Sequence, residues 1–318
     1  MASTETKKAH LAPQNYLERF ATEPGKIWVF DKSSLRTYGC SIKDVAQERY
    51  FYDVIEQTET GPIRSQAVEH YLADAEGFYK DCLDRLLAAV AEGALPQNLK
   101  HEMAFFIMLQ VLRTQEARRR MTQFFESGSQ QIIARAHQDG YNAPISDLSA
   151  ADSFRAAADA SRWHAAFLDP QNVWDASRPL LDHIWIVGIN HSERLLYTSD
   201  NPVIGQNEFP PTKIIAAGGL VAVGTEVQLP LTSRHVLCLF ERTHFGEHRA
   251  LNGQAIYLTD EQIDRCNSFQ SSSAERQVFC GVDDFDLARR YCAMVPECRN
   301  PDRHRLNLSP DADSNDSL

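Results

Sequence analysis

SQAVEHYLADAEGFYKDCLDRLLAAVAE, residues 65 to 92, is the stretch that decides most about the fold. Its apolar side chains recur every three or four residues, which is the spacing of one face of an α-helix. A glycine at 93 and a proline at 96 follow it, and both residue types commonly end helices. We therefore predict a long amphipathic helix with one face in the core. Its apolar positions are Val68, Tyr71, Leu72, Ala75, Tyr79, Cys82, Leu83, Leu86 and Leu87.

Two further helical patterns follow in the first half of the chain. One runs from about 96 to 136, with a break near the SGS of residues 127–129, and a weaker one covers about 150–167. After residue 180 the pattern changes to short β-rich runs bounded by glycine, proline and asparagine. These runs are HIWIVGIN (183–190), RLLYTSD (194–200), KIIAAGG (213–219), EVQLPL (226–231) and HVLCLFER (235–242), and two predicted helices follow at 260–272 and 285–294.

This order predicts an α+β fold, in which N-terminal long helices pack against a mainly antiparallel sheet formed largely by the C-terminal half. An early strand at 26–32, KIWVFDK, needs partners, and the later sheet can supply them. We therefore expect a single domain over residues 10–300. Residues 1–9 and 301–318 are polar, and we expect them to be disordered tails.

The composition is that of a globular protein, with 43% apolar and 24% charged residues. The polar start MASTETKKAH lacks the features of a secretory signal, and the longest apolar run, AFFIMLQVL (104–112), is about half the length that a bilayer requires. We therefore expect a cytoplasmic protein that does not enter a membrane. Seven scattered cysteines, an odd number, are expected to be reduced and structural. Cys292 and Cys298, with His304 nearby, are too loosely spaced to indicate a metal site.

The formal charge of −11 argues against a protein that coats nucleic acid. It leaves room for an enzyme that takes a small nucleotide or a single strand into a local basic cleft. Arg113, Arg118, Arg119 and Arg120 form a local basic cluster, for which a solvated helix face is the preferred explanation.

Several separate stretches together resemble one family. HLAPQNYLERF (10–20) resembles the H-x-x-P-Q-x-Y-L-x-x-F opening of the family called domain of unknown function 4238, and TSDNP (198–202) is similar to a late signature of that family. Matching stretches in the same order are VFDK (29–32), ERYFYD (48–53), LQVLRTQEAR (109–118) and LPLTS (229–233). The resemblance covers residues 10 to about 242 and implies no particular activity.

Glu69 and Glu76 are seven residues apart on the predicted helix, which places them about 20° from alignment on one face. Two aligned carboxylates could hold a divalent cation or divide the roles of general acid and base. The alternative is chance, since the chain has 43 acidic residues.

Gln110 and Arg113 lie three residues apart on the next helix and are therefore neighbours on one face. Gln110 interrupts the apolar run, so its amide is expected to face inward or into a cleft, where it needs partners. Arg113 either pairs with a glutamate of the preceding helix or holds a substrate phosphate or carboxylate through its planar donor fork.

Asp200 and Asn201 precede Pro202 at the end of a predicted strand, where such residues form turns. A strand end can also present a carboxylate to a cleft. His10 and Gln14 in the opening stretch either pin that stretch against the core or line the same cleft, because a neutral imidazole suits a general base or a ligand nitrogen.

These residues lead to two hypotheses. In the first, the protein is a metal-dependent hydrolase acting on a phosphate-containing substrate such as a nucleotide or nucleic acid. Its catalytic residues would be His10, Glu76 and Asp200. Glu69, Glu76 and Asp200 would bind Mg²⁺ or Mn²⁺, and Gln14, Gln110, Arg113 and Asn201 would bind the substrate. In the second hypothesis, the same residues form a structural polar core in a non-catalytic module that binds a ligand or a protein.

Overall fold

The structure, a computed structural model, describes residues 8–58, 61–93, 95–124, 126, 161–209 and 219–305. The helices are α1 (Gln14–Leu17), α2 (Ala67–Ala91), α3 (Gln97–Leu112), α4 (Pro170–Ser177), α5 (Asp260–Ser273) and α6 (Asp286–Met294). Residues 115–124 and 161–167 are also helical. The strands are β1 (Lys8–His10), β2 (Lys26–Asp31), β3 (Arg36–Ser41), β4 (Gln47–Arg49), β5 (Val54–Thr58), β6 (Gly61–Ser65), β7 (Ile184–Ile189), β8 (Thr198–Ser199), β9 (Ile204–Asn207), β10 (Thr225–Thr232), β11 (His235–Phe240), β12 (Gln254–Tyr257) and β13 (Gln277–Cys280).

The helix ends follow from local chemistry. Gly93, just past α2, has a φ of +82°, a left-handed conformation that glycine adopts without steric cost at a helix end. Helix α5 begins with a capping box, in which Thr259 and Gln262 bond each other's backbone N–H. Helix α4 begins at Pro170, and the Asp169 side chain accepts a hydrogen bond from the N–H of Gln171.

Two larger sheets and two small ribbons make up the β structure. The five-stranded sheet has the order β12-β7-β11-β10-β9 and is antiparallel except at the β12–β7 pair. The four-stranded sheet has the order β3-β2-β13-β8 and is antiparallel throughout. Strands β1 and β4 form one antiparallel ribbon, and β5 and β6 form the other.

The main core lies between the helices and the five-stranded sheet. The inner face of α2 contributes Leu72, Leu83 and Leu86, which are almost fully buried, and α3 contributes Met103 and Ile107. The sheet contributes further side chains to the same core from β7, β10 and β11: Trp185, Val187, Val227, Leu229, Leu231, Leu237 and Leu239. Burial of apolar side chains is therefore what holds helices and sheet together.

The mixed α and β content and the antiparallel sheets agree with the sequence-based prediction, and the pairing of β2 with β13 confirms that the early strand finds its partner late in the chain. The predicted order of helices first and strands later is wrong, because six strands precede α2. Most of these early strands have three to five residues, too few for a periodic pattern to identify them.

The helix predicted over 96–136 ends at Leu112. The Thr114 hydroxyl accepts a hydrogen bond from the N–H of Ala117 and thereby starts the separate helical stretch 115–124. Of the run predicted as a strand at 194–200, only Thr198–Ser199 is a strand. Residues 127–136, 150–160 and 213–218 of the predicted elements lie outside the described residues.

The structure describes a few residues of each predicted tail. Lys8 and Ala9 belong to β1, and the backbone is described as far as Arg305. Within the described residues, no helix has the length and apolarity that crossing a bilayer requires.

Candidate functional site

The opening segment is held between the sheets and the long helices. Strand β1 pairs with β4, and the N–H of Leu11 donates to the carbonyl of Ala46. Tyr16 is buried, and its hydroxyl donates to the carbonyl of Pro230 at 2.8 Å and lies 2.7 Å from Oγ1 of Thr198. These contacts fix the segment so that His10 and Gln14 face α2 and the end of α3.

Arg113 is the centre of the polar side chains around this segment. It follows the last residue of α3, and its side chain is only 4% exposed. One terminal nitrogen donates to the carbonyl of His10 at 2.6 Å and to Oε1 of Glu76 at 2.8 Å. Its buried Nε has no hydrogen-bond partner. The guanidinium is thus held through one terminal nitrogen, and its Nε–H remains available as a donor.

The two glutamates predicted to align on α2 both lie near this guanidinium. Burial raises the pKa of Glu69 to about 7, against the opposing effect of Arg113, and the nearby carboxylates of Glu76 and Asp53 raise it further. A carboxyl with this pKa is partly protonated at neutral pH, so it can donate or accept a proton there.

His10 joins Gln14 to the surroundings of Arg113, because its carbonyl binds the guanidinium and its ring binds Gln14. The Gln14 amide donates to Nε2 of His10 at 3.3 Å, and a hydrogen bond to the Lys43 backbone involves the same ring. These partners assign the neutral tautomer with its proton on Nδ1. Burial lowers the pKa of His10, which favours that neutral form. Gln110 is buried and donates to the carbonyl of Leu11 at 3.0 Å.

A small pocket opens beside Arg113. It has about 10 Å³ of space for the centre of a water molecule, which is room for one water. Tyr79 is among the residues that line it, and its hydroxyl, like Nε of Arg113, is buried without a hydrogen-bond partner in the described part of the chain. The residues that line the pocket are Pro13, Ala75, Glu76, Tyr79, Phe106, Leu109, Gln110 and Arg113.

A second arginine adds positive charge next to this site. Arg118 donates to the carbonyl of Phe51 and to Nδ1 of His164, and its guanidinium lies 3.6 Å from the centre of the Phe51 ring. In the described part of the chain it has no carboxylate partner, and burial lowers its pKa to about 10. The hydroxyl of Tyr52, which donates to the Arg113 carbonyl at 2.7 Å, lies in the field of both arginines.

Asp200 and Asn201 belong to a different place, the turn after β8. One carboxylate oxygen of Asp200 accepts from the N–H of Glu275 at 2.8 Å, and the other accepts from the N–H groups of Arg276 and Gln277 at 2.9 and 2.8 Å. The Asn201 amide donates to the carbonyl of Ser273 at 3.0 Å. These bonds fasten the turn to α5 and β13. Both side chains therefore have a complete structural explanation.

The structure thus brings together six of the predicted site residues, which we call the Arg113 cluster: His10, Gln14, Glu69, Glu76, Gln110 and Arg113. Asp200 and Asn201, which we call the Asp200 turn, share no hydrogen bond or ion pair with that cluster among the described residues. In the same residues, no three His, Cys, Asp or Glu side chains form a group that could hold a metal ion.

Sequence reasoning missed Tyr79 and Tyr52 as members of this region. Tyr79 was assigned to the apolar face of α2, where it does lie, and only its position three residues after Glu76 could have drawn attention to its hydroxyl. Tyr52 lies in a short irregular stretch, and no spacing in the sequence links it to Arg113.

Comparison with known proteins gives one match. The model of a family described as "Protein of unknown function (DUF4238)" matches residues 8–284, most of the chain. The comparisons with curated proteins and with solved structures give no match.

Proposed function

We propose that this chain, which belongs to the DUF4238 family, is a hydrolase that binds a phosphate-containing small substrate at the Arg113 cluster. One observation carries the proposal. Arg113 is buried and lines a small pocket with room for one water, and its Nε has no hydrogen-bond partner among the described residues. His10, Glu69 and Glu76 lie near the same guanidinium, and a phosphate group would have to widen this pocket as it binds. A planar guanidinium is the side chain best suited to grip a phosphate oxygen.

The local charge supports an anionic ligand. Arg113 is buried and Arg118 is half-buried, and among their described neighbours only Arg113 has a carboxylate ion-pair partner, Glu76. Glu69 carries less than a full negative charge at neutral pH because its pKa is about 7. The cluster is therefore less negative than its residue types suggest. The net charge of −11 disfavours a long polyanion and favours a small nucleotide or a short piece of a strand.

Glu69 and His10 would divide the proton transfers. The partly protonated Glu69 is suited to give a proton to a leaving group at neutral pH. His10, held neutral by burial, is suited to take a proton from water once that water replaces the Gln14 amide at Nε2.

Mg²⁺ or Mn²⁺ belongs to this proposal as an ion that arrives with the substrate. Such ions are commonly held by one or two carboxylates together with substrate phosphates, and Glu76 would supply the protein oxygen while Glu69 keeps its proton for the leaving group. The proposal leaves Asp200 out, because both of its carboxylate oxygens are already bonded to backbone N–H groups. A cytoplasmic location is part of the same proposal, and the seven unpaired cysteines support it.

The test is an assay of phosphodiester and nucleotide hydrolysis with added Mn²⁺ and, separately, with chelator. For Glu69→Gln we expect a roughly 100-fold loss of kcat, the scale of one general acid. The control is Glu92→Gln, at an exposed position at the end of the same helix, and it should keep full activity. Full activity in Glu69→Gln would overturn the proposed role of this carboxyl.

A second candidate is a non-catalytic binding module with a structural polar core. The ion pair between Glu76 and the almost fully buried Arg113 favours it, because each of the two charges has a partner of opposite sign without a ligand. This candidate predicts that Glu76→Gln lowers stability, and that phosphate compounds neither raise the melting temperature nor are hydrolysed.

A further inference from the structure

Two cysteines near the end of the described chain lie in direct contact. Cys292 is in α6, and Cys298 is in the short 3-10 helix Pro296–Arg299 that follows it. Their sulfur atoms are 3.5 Å apart and joined by a thiol hydrogen bond, and the two residues are 2% and 5% exposed. A disulfide has an S–S length of about 2.05 Å, so a small local movement would allow the bond to form.

The surroundings of this pair are positively charged. Lys32 is fully buried nearby, and its ammonium donates to the carbonyl of Ala274 at 2.8 Å, with no carboxylate partner among the described residues. The contact with the Cys292 sulfur lowers the pKa of Cys298, and the charges of Lys32 and Arg303 lower it further. The same pairing raises the pKa of Cys292. The positive charges of Lys32, Arg299 and Arg303 near Cys298 favour a thiolate there.

The other buried cysteines lack this environment. Cys238 and Cys266 lie near the negative charge of Glu226, and burial raises the pKa of both thiols. Cys40 is partly exposed, and burial together with the charge of Asp44 raises the pKa of its thiol as well. Close contact with a second thiol and a positive field thus coincide at Cys292 and Cys298.

We propose that Cys292 and Cys298 are a redox-modification site, a dithiol that a hydroperoxide oxidises to a disulfide and that a small thiol reduces again. The Cys298 thiolate attacks one oxygen of the hydroperoxide and breaks the O–O bond. The products are a sulfenic acid on Cys298 and a hydroxide or alkoxide, which takes up a proton. The sulfur of Cys292 then attacks the sulfenic sulfur, loses its proton and expels water. The two sulfurs are oxidised by two electrons in total, and the peroxide is reduced by the same two.

The position of the site links it to the rest of the fold. The chain continues from Cys298 to Arg303 and Arg305, which both bond Oε2 of Glu116, at 3.2 and 2.7 Å. Glu116 belongs to the helical stretch 115–124, three residues after Arg113. A disulfide between Cys292 and Cys298 would thus link α6 covalently to the segment whose arginines bind Glu116.

The test is peptide mapping of the wild-type chain by mass spectrometry. Native protein is treated with hydrogen peroxide, unfolded in an alkylating reagent and digested. After cleavage by trypsin at Arg290 and Arg299, we expect the peptide 291–299 with an internal disulfide, lighter by two hydrogen atoms than its dithiol form, and a fall from seven alkylated cysteines to five. Dithiothreitol should restore all seven.

Variants identify the attacking thiol. In Cys298→Ser, Cys292 should resist oxidation, whereas in Cys292→Ser the sulfenic acid on Cys298 should persist and be trapped by dimedone. Cys40→Ser is the matched control and should form the bond at the wild-type rate. The proposal is overturned if wild type forms no Cys292–Cys298 bond under conditions that oxidise Cys40, or if Cys298 proceeds to sulfinic acid without pairing. Because the wild-type mapping needs no substitution, a variant that fails to fold does not remove the test.

Discussion

The Arg113 cluster and the Asp200 turn are both buried and polar, and they differ in how completely their hydrogen bonds are made. Both oxygens of the Asp200 carboxylate accept hydrogen bonds from backbone N–H groups, and there are three such bonds. In and around the Arg113 cluster, Nε of Arg113 and the hydroxyls of Tyr79 and Tyr71 are buried without a partner among the residues that the structure describes. A buried polar group costs free energy unless it is bonded, so the completed set serves the scaffold and the incomplete set is where a ligand can bind.

The largest effect that this comparison predicts is at Asp200. Asp200→Ala leaves the N–H groups of Glu275, Arg276 and Gln277 without their acceptor, and we expect a loss of roughly 3–5 kcal/mol in the free energy of unfolding. Urea unfolding measures it. Asp200→Asn keeps one acceptor oxygen and should lose less. A loss below about 1 kcal/mol in Asp200→Ala would break the assignment of this residue to the scaffold.

Arg113→Met should cost roughly 2–4 kcal/mol, because Glu76 is left without its partner and the carbonyl of His10 loses a donor. The double variant Arg113→Met with Glu76→Gln should recover part of that loss, since it removes the unpaired carboxylate as well. Urea unfolding of the two single variants and the double variant gives the coupling. Simple additivity would show that the pair contributes nothing as a pair.

Glu69→Gln should change how stability depends on pH. The folded protein holds the Glu69 proton more strongly than the unfolded chain does, because burial raises the pKa from 4.5 to about 7. The contribution of this group is thus fully present below pH 4.5 and is lost as the pH rises through about 7.

The glutamine variant cannot ionise, so near pH 8 its free energy of unfolding should exceed that of wild type by roughly 1–2 kcal/mol. This value is reduced because Glu69 is partly exposed to solvent. Near pH 4.5 the stabilities of Glu69→Gln and wild type should converge. Urea unfolding across this pH range checks it, with Glu92→Gln as the control. A constant difference between Glu69→Gln and wild type at every pH would contradict the raised pKa.

The smallest predicted effect is the difference in stability between phenylalanine variants of two buried tyrosines, Tyr16 and Tyr79, whose ring centres are 6.2 Å apart. Tyr16→Phe loses the bonds of its hydroxyl to Thr198 and Pro230 and should cost about 1 kcal/mol. Tyr79→Phe loses a hydroxyl without a partner, so its stability should stay within about 0.5 kcal/mol of wild type or exceed it. Equal losses in thermal unfolding would show that the Tyr79 hydroxyl is bonded in solution.

Long periodic elements of this fold could be predicted from the sequence, and short ones could not. Residues 65–92 were predicted as a helix and contain α2, because 25 residues repeat the helical spacing many times. Strands such as β1 and β4 have three residues each, and their existence depends on pairing with each other. His10 pairs with Gln47, which lies 37 residues later in the chain, so this pairing leaves no local pattern in the sequence.

The same distinction applies to the candidate site. The proximity of Glu76 and Arg113 could be predicted, because they lie on facing sides of neighbouring helices and have opposite charge. The partners of Asp200 could not, since they are backbone N–H groups that every residue type carries. Tyr79 was concealed by its place on an apolar helix face, where only the structure shows that its hydroxyl lacks a partner.

Calorimetric titration with pyrophosphate tests the central claim, that the incomplete hydrogen bonding of the Arg113 cluster marks a site for a phosphate group. We predict binding by wild type and a loss of affinity of at least about tenfold in Arg113→Gln. Arg265→Gln is the matched control, because Arg265 is already paired with the buried Glu226, and it should bind as wild type does. No binding by wild type, or equal affinities of wild type and Arg113→Gln, would contradict the claim.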